Sequence, residues 1–115
     1  MKKIFFIHFN EEELKEKIQP LKKAGYEVNY HFNTETVADF RDNLPDILAI
    51  CLDRLPSHGR RYAEWLWEAK KRQQIPIVFC GGKPEKIIVV KEKLSNAFFC
   101  SNEELLSVIK KIKTT

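Results

Sequence analysis

The sequence predicts an α/β domain, a three-layer αβα sandwich built on a five-stranded parallel sheet. Three observations carry this. Apolar runs and amphipathic segments alternate five times along the 115 residues, which is the length of one domain. The connections are short, with no linker, repeat or low-complexity tract. The run Ile47 to Leu52 is apolar throughout, as expected of a strand covered on both faces. Parallel strands joined by right-handed crossovers place helices on both sides of the sheet. For five strands, 2-1-3-4-5 is the common order.

Each element has its own local reason. Ile4 to Phe9 is a nearly continuous apolar run and reads as the first strand. Asn10 with Glu13 forms a capping pair, and three glutamates favour the positive end of the helix that follows. Leu14, Ile18 and Leu21 make its inward stripe, Pro20 predicts a kink near Gln19, and Gly25 marks the stop. Tyr26 to Phe32 alternates apolar and polar residues, the mark of an edge strand. Asn33 or Thr34 then caps a short helix with Val37, Phe40 and Leu44 inward. After Pro45-Asp46 and the central strand, Asp53 to Gly59 reads as a loop, and a helix runs from about Arg60 to Gln74. Pro76 to Cys80 is the fourth strand. Pro84 opens a helix reaching about Leu94, and Ala97 to Cys100 is the fifth strand. Ser101 and Glu104 form a capping box for a last helix with Leu105, Val108, Ile109 and Ile112 inward.

Composition narrows the function classes. Twenty basic and sixteen acidic residues give +4, and the Lys and Arg side chains are dispersed among the helices. No dense basic stripe marks a nucleic-acid reader, so no nucleic-acid partner is expected. The three cysteines, Cys51, Cys80 and Cys100, lie in or beside apolar runs without metal or redox spacing. They fit a reducing, cytoplasmic compartment, and the apolar surroundings of Cys51 and Cys80 predict raised thiol pKa values. The basic start Met1-Lys2-Lys3 leads into an apolar stretch that His8 cuts short, so neither a signal peptide nor a membrane segment is predicted.

The segment Pro45-Asp46-Ile47-Leu48-Ala49-Ile50-Cys51, followed by Leu55-Pro56 and Gly59, resembles the receiver domains of two-component response regulators, which have a flavodoxin-like fold. Such a resemblance implies phosphoryl transfer by five groups. Two acids after the first strand hold Mg²⁺, an Asp ending the third strand accepts phosphate, a Ser or Thr ends the fourth, and a Lys ends the fifth. Carried over residue by residue, the phospho-acceptor position is Cys51, with Asp53 two residues on. The acid pair is replaced by His8 and Phe9, the Ser/Thr position falls at Gly81, and the Lys position falls near Cys100-Ser101. A hard ion such as Mg²⁺ wants several oxygens, and this set does not supply them. The expectation is a receiver-like regulatory module without phosphotransfer, cofactor or metal. It would act through a protein partner, a second copy of itself among the possibilities.

Ligands of open α/β sheets bind outside the carboxyl ends of the strands. The polar residues expected there are His8, Asn10, Asp53, Arg54, Ser57, His58, Arg60 and Lys83, with Gly81 and Gly82. The run Asp53–Arg61 is the densest polar cluster. An alternative function is therefore binding of a phosphorylated or anionic small molecule at that loop, by arginines and helix N–H groups. In the competing local reading, Asp53 or Ser57 caps the helix and pairs with Arg54 or Arg60. Trp67 falls away from the inward stripe of its helix, and Ile88 and Val89 belong to the run Ile87–Val90, apolar all round. These three are candidates for a protein interface.

Overall fold

The computed structural model describes residues 2–38 and 40–112. The elements in order are β1 (Lys3–Ile7), α1 (Glu11–Lys23), β2 (Glu27–His31), β3 (Ile47–Cys51), α2 (Pro56–Glu68), β4 (Ile77–Cys80), α3 (Pro84–Lys93), β5 (Phe98–Cys100) and α4 (Leu105–Lys111), with a short 3₁₀ turn at Lys70–Arg72. All neighbouring strands pair in parallel, in the order β2-β1-β3-β4-β5. The alternating strand lies at an edge, and the apolar β3 is central and buried along its whole length.

Successive strand residues point to opposite faces, which splits the core in two. Ile47, Ala49 and Cys51 pack with Leu14, Ile18, Leu105 and Ile109, beneath α1 and α4. Leu48 and Ile50 pack with Ala63, Leu66 and Val90, beneath α2 and α3. Gly59 lets α2 lie close on the sheet, because a Cβ there would sit 2.6 Å from Ile50 Cγ2.

Several local expectations are corrected. Helix α1 runs unbroken through Pro20, whose exposed ring removes one hydrogen bond while Ile18 and Leu21 stay buried on the other side. No helix forms among the described residues of 33–46. Asn33 Oδ1 instead accepts from Thr36 N–H at 3.0 Å and from its hydroxyl at 2.8 Å, closing a turn. Thr34, Thr36 and Val37 are β-branched and gain little from a helix. Phe40 alone is buried, while Val37 is 81% exposed and Leu44 lies at the surface.

Helix α2 starts at Pro56, not near Arg60, and ends at Glu68 instead of reaching Gln74. Pro56 takes the first helical position, where its missing N–H costs nothing. The cap position belongs to Leu55, in the left-handed region at φ 46° with no side-chain hydrogen bond, so neither Asp53 nor Ser57 caps the helix. Ser101 and Glu104 do bond reciprocally, at 3.1 and 3.2 Å, but they close a turn just before α4. No described helix is long and apolar enough to cross a membrane.

Candidate functional site

Asp53 stands where three loops meet at the carboxyl ends of the strands. Its Oδ1 accepts the Gly82 N–H at 2.7 Å. Its Oδ2 accepts from Asn102 Nδ2 at 2.8 Å, from Lys17 Nζ at 3.4 Å and from the Cys51 thiol at 3.4 Å. Gly81 and Gly82 adopt φ of 67° and 93°, and a Cβ on Gly81 would fall 2.6 Å from Asp53 Oδ1. Only glycine lets the β4 loop close on the carboxylate in this way. Partial burial pushes the Asp53 carboxyl up, but the Gly82 and Asn102 donors, the Cys51 thiol and the Lys17 ammonium outweigh it. Together they hold it at about 2, below its ordinary 3.8.

Lys17 comes from the second turn of α1 and is the cation of the site. Side chains on a helix lean toward its N-terminus, and that end of α1 lies over the carboxyl end of β1. Lys17 thus reaches the site along the apolar surface, with 19% of its side chain exposed. Its ammonium is 3.6 Å from Cys51 Sγ as well as 3.4 Å from Asp53. Burial lowers its pKa, but Cys51 and Asp53 raise it more.

A second ring of groups surrounds Glu13. Arg54 Nη2 donates to Glu13 Oε2 at 2.6 Å, and His8 Nε2 lies 2.9 Å from Glu13 Oε1. So short a contact with a carboxylate makes Nε2 the N–H of the His8 ring. That nitrogen then cannot accept from Lys17, 3.3 Å away, whose protons go to Asp53 and Cys51 instead. The Arg54 hydrogen bond is the main reason that Glu13 falls to about 2. Burial opposes it and the His8 hydrogen bond adds to it.

Cys51 and Cys80 are register partners at the ends of β3 and β4, and Cys100 follows opposite Cys80 on β5. The expectation of a raised thiol pKa holds for Cys80, and burial lifts Cys100 as well, to about 11. It fails for Cys51. There the hydrogen bond from Cys80 lowers the thiol against its burial, and His8 adds to the effect. Cys51 opens onto polar groups at the strand end, so its apolar neighbours in sequence are not its surroundings.

The residues expected to form one pocket are dispersed. The run Asp53–Arg61 is mostly helix, so its side chains fan out around α2. Arg54 turns to Glu13. Arg60 pairs along α2 with Glu64 at 3.0 Å. His58 packs edge-on against Phe9, with ring centres 5.8 Å apart. Ser57 is exposed in the first turn of α2. Asn10 caps α1 by accepting the Glu13 N–H, and Lys83 is the cap residue of α3. Of the expected residues, His8, Asp53 and Arg54 join the cluster, and Gly81 and Gly82 close on Asp53. Lys17, Glu13 and Asn102 escape a sequence reading, because α1 and the β5–α4 loop supply them, far along the chain from Asp53. The one available signal is the position of Lys17, beside the inward stripe and near the start of α1.

The interface candidates also divide. Ile88 and Val89 are 57% and 39% exposed on the outer side of α3. Trp67 is half-buried against the core below α2, and its indole N–H donates to Ile75 O at 2.9 Å. The early end of α2 is the reason, since the chain folds back through the 3₁₀ turn and lays Ile75 beside the ring.

No protein-family model matches the chain, and no curated protein matches it. Among solved structures, the Vibrio cholerae chemotaxis protein CheY4 superposes with a TM-score of 0.76 at 16% identity, covering 98% of this chain and 99% of that one. The receiver domain of a signal transduction histidine kinase from Syntrophus aciditrophicus gives 0.68 at 15% identity, over 100% and 97% of the two chains. The phosphorylated cyanobacterial phytochrome response regulator RcpA gives 0.68 at 17%, over 95% and 89%. With five parallel strands in this order and neighbours of this kind over nearly its full length, the chain has the receiver-type, flavodoxin-like fold.

Proposed function

We propose that the chain is a receiver-like regulatory module that acts through protein contacts and does not transfer phosphate. The observation that carries this reading is the occupied state of Asp53. Both of its oxygens accept hydrogen bonds from within the chain, and one of them faces an ammonium. Phosphoryl transfer needs a free nucleophile and a cation bridging it to the phosphoryl oxygens. The residues here do not fit a Mg²⁺ ion. His8 and Phe9 stand where an acid pair would supply oxygens, and Lys17 lies 3.4 Å from Asp53 and 4.0 Å from Glu13, where its positive charge repels a second cation. Lys17 thereby supplies internally the charge neutralisation that a metal would bring.

The test is thermal melting with Mg²⁺ and beryllofluoride, a phosphoryl mimic. An unchanged midpoint is expected. A ligand near a hundred times its dissociation constant adds about 2.7 kcal/mol, so a true acceptor site would be plainly visible. A shift that needs both reagents would overturn the proposal.

The outer side of α3 is the surface offered to a partner, and a second copy of the chain is the partner to test first. Ile88 and Val89 are exposed there, and Phe98 on the adjoining edge strand is 44% exposed. Light scattering is expected to give a mass that rises with concentration in the wild type and stays monomeric in Ile88→Glu/Val89→Glu. A monomeric mass in the wild type at every concentration would remove the self-association.

A further inference from the structure

Among its described residues the crossover from β2 to β3 lacks a helix, and a cavity of about 710 Å³ lies between that segment and α2. This is within the size range of small-molecule sites, ~300–1,000 Å³. Its walls are aromatic. Phe9, Phe40, Tyr62 and Trp65 line it, and Trp65 meets Phe40 edge-on at 5.4 Å between ring centres. A hydrogen bond from Ala38 N–H to the Tyr62 hydroxyl at 3.0 Å ties the segment to α2. Val37, which a helix would have turned inward, stands at the rim instead.

Among the described lining residues the permanently charged side chains are Arg41 and Arg61, beside the neutral Asn33, Thr34 and Thr36, and none is acidic. Behind the ring wall lies His31, 9% exposed, with its ring edge-on to both Phe9 and Tyr62 and its Nε2 without a hydrogen-bond partner. Aromatic walls accept a flat apolar body, and a guanidinium at the mouth binds a carboxylate in fork geometry.

We infer that this cavity binds a small aromatic carboxylate, its rings among Phe9, Phe40, Tyr62 and Trp65 and its charge at Arg61.

Amide chemical-shift titration of the full chain separates the possibilities. The probes are 2-naphthoate, its neutral alcohol analogue and its cationic methylamine analogue. 2-Naphthoate is expected to move the amides of Ala38, Tyr62 and Trp65 in a saturable way. The neutral analogue should bind more weakly and the cation not at all. Arg61 is exposed, so Arg61→Gln should fold normally. It should weaken 2-naphthoate about fivefold or more while leaving the neutral analogue unchanged. No saturable shift at these amides up to millimolar probe would overturn the inference. Equal affinity for all three probes, or an Arg61→Gln variant that binds 2-naphthoate like the wild type, would overturn it too.

Discussion

Lys17→Met is expected to lower stability at pH 7 by about 1–2 kcal/mol, through an electrostatic loss and not a packing one. A fully buried charge stripped of its partner costs ~3–5 kcal/mol, and an exposed pair contributes ~0–1. This pair lies between, since Lys17 is 19% exposed and Asp53 34%. Methionine keeps much of the aliphatic stem, so the hydrophobic contacts of α1 change little. The loss corresponds to a drop of ~4 °C or more in melting temperature for a domain of this size. Asp53→Asn in the same background should add little, because the two changes remove one interaction. A double-mutant cycle measures the coupling directly.

The pH dependence gives a second readout of the same cluster. Asp53 and Glu13 both titrate at about 2, below ordinary values of 3.8 and 4.5. A carboxyl depressed in the folded state contributes stability that is complete above its unfolded pKa and lost as pH falls through the folded one. Wild-type stability should therefore decline as the pH falls from 4.5 through about 2. In Lys17→Met the Asp53 carboxyl moves back up, so its share of the decline shrinks. A variant with the wild-type melting temperature and an identical acid limb would show that the ammonium does not hold Asp53.

Gly59→Leu is expected to destabilise the domain by about 2–3 kcal/mol, from overpacking alone. The added Cβ would lie 2.6 Å from Ile50 Cγ2, on a strand buried at every position. Neither side can yield cheaply. Ile50 packs against α2 in a closed core, and moving the helix breaks its contacts through Ala63 and Leu66. Glu68→Leu places the same side chain at an exposed position of the same helix and should change stability by less than about 0.5 kcal/mol. Denaturant unfolding of the two variants checks this, and equal midpoints would mean that α2 has room to retreat.

The strands were legible because their signals are local. β3 is apolar at five consecutive positions and β2 alternates, and those two patterns alone separate a centre from an edge. Asn10 and Gly25 were legible for the same reason, as a cap and a stop acting within one turn. The segment after β2 misled because Val37, Phe40 and Leu44 have helical spacing. Asn33 and the β-branched residues beside it favour a turn, and burying Phe40 alone satisfies the core. The start of α2 misled because the run Asp53–Arg61 is polar, while Pro56 makes no demand on a cap.

By itself, then, the sequence determined the layered parallel sheet, its strand order, the central strand and the absence of an acid pair after β1. Each depends on residue type and on short periodicities, which survive without knowledge of neighbours. Only the tertiary structure decided what surrounds Asp53. Its partners Lys17, Cys51, Gly82 and Asn102 come from α1, the end of β3, the β4–α3 loop and the β5–α4 loop. Their positions in the chain span most of its length, and no spacing rule joins them. They converge because parallel strands with right-handed crossovers bring every strand-to-helix loop to one edge of the sheet. The long side chain of Lys17 then reaches Asp53 there.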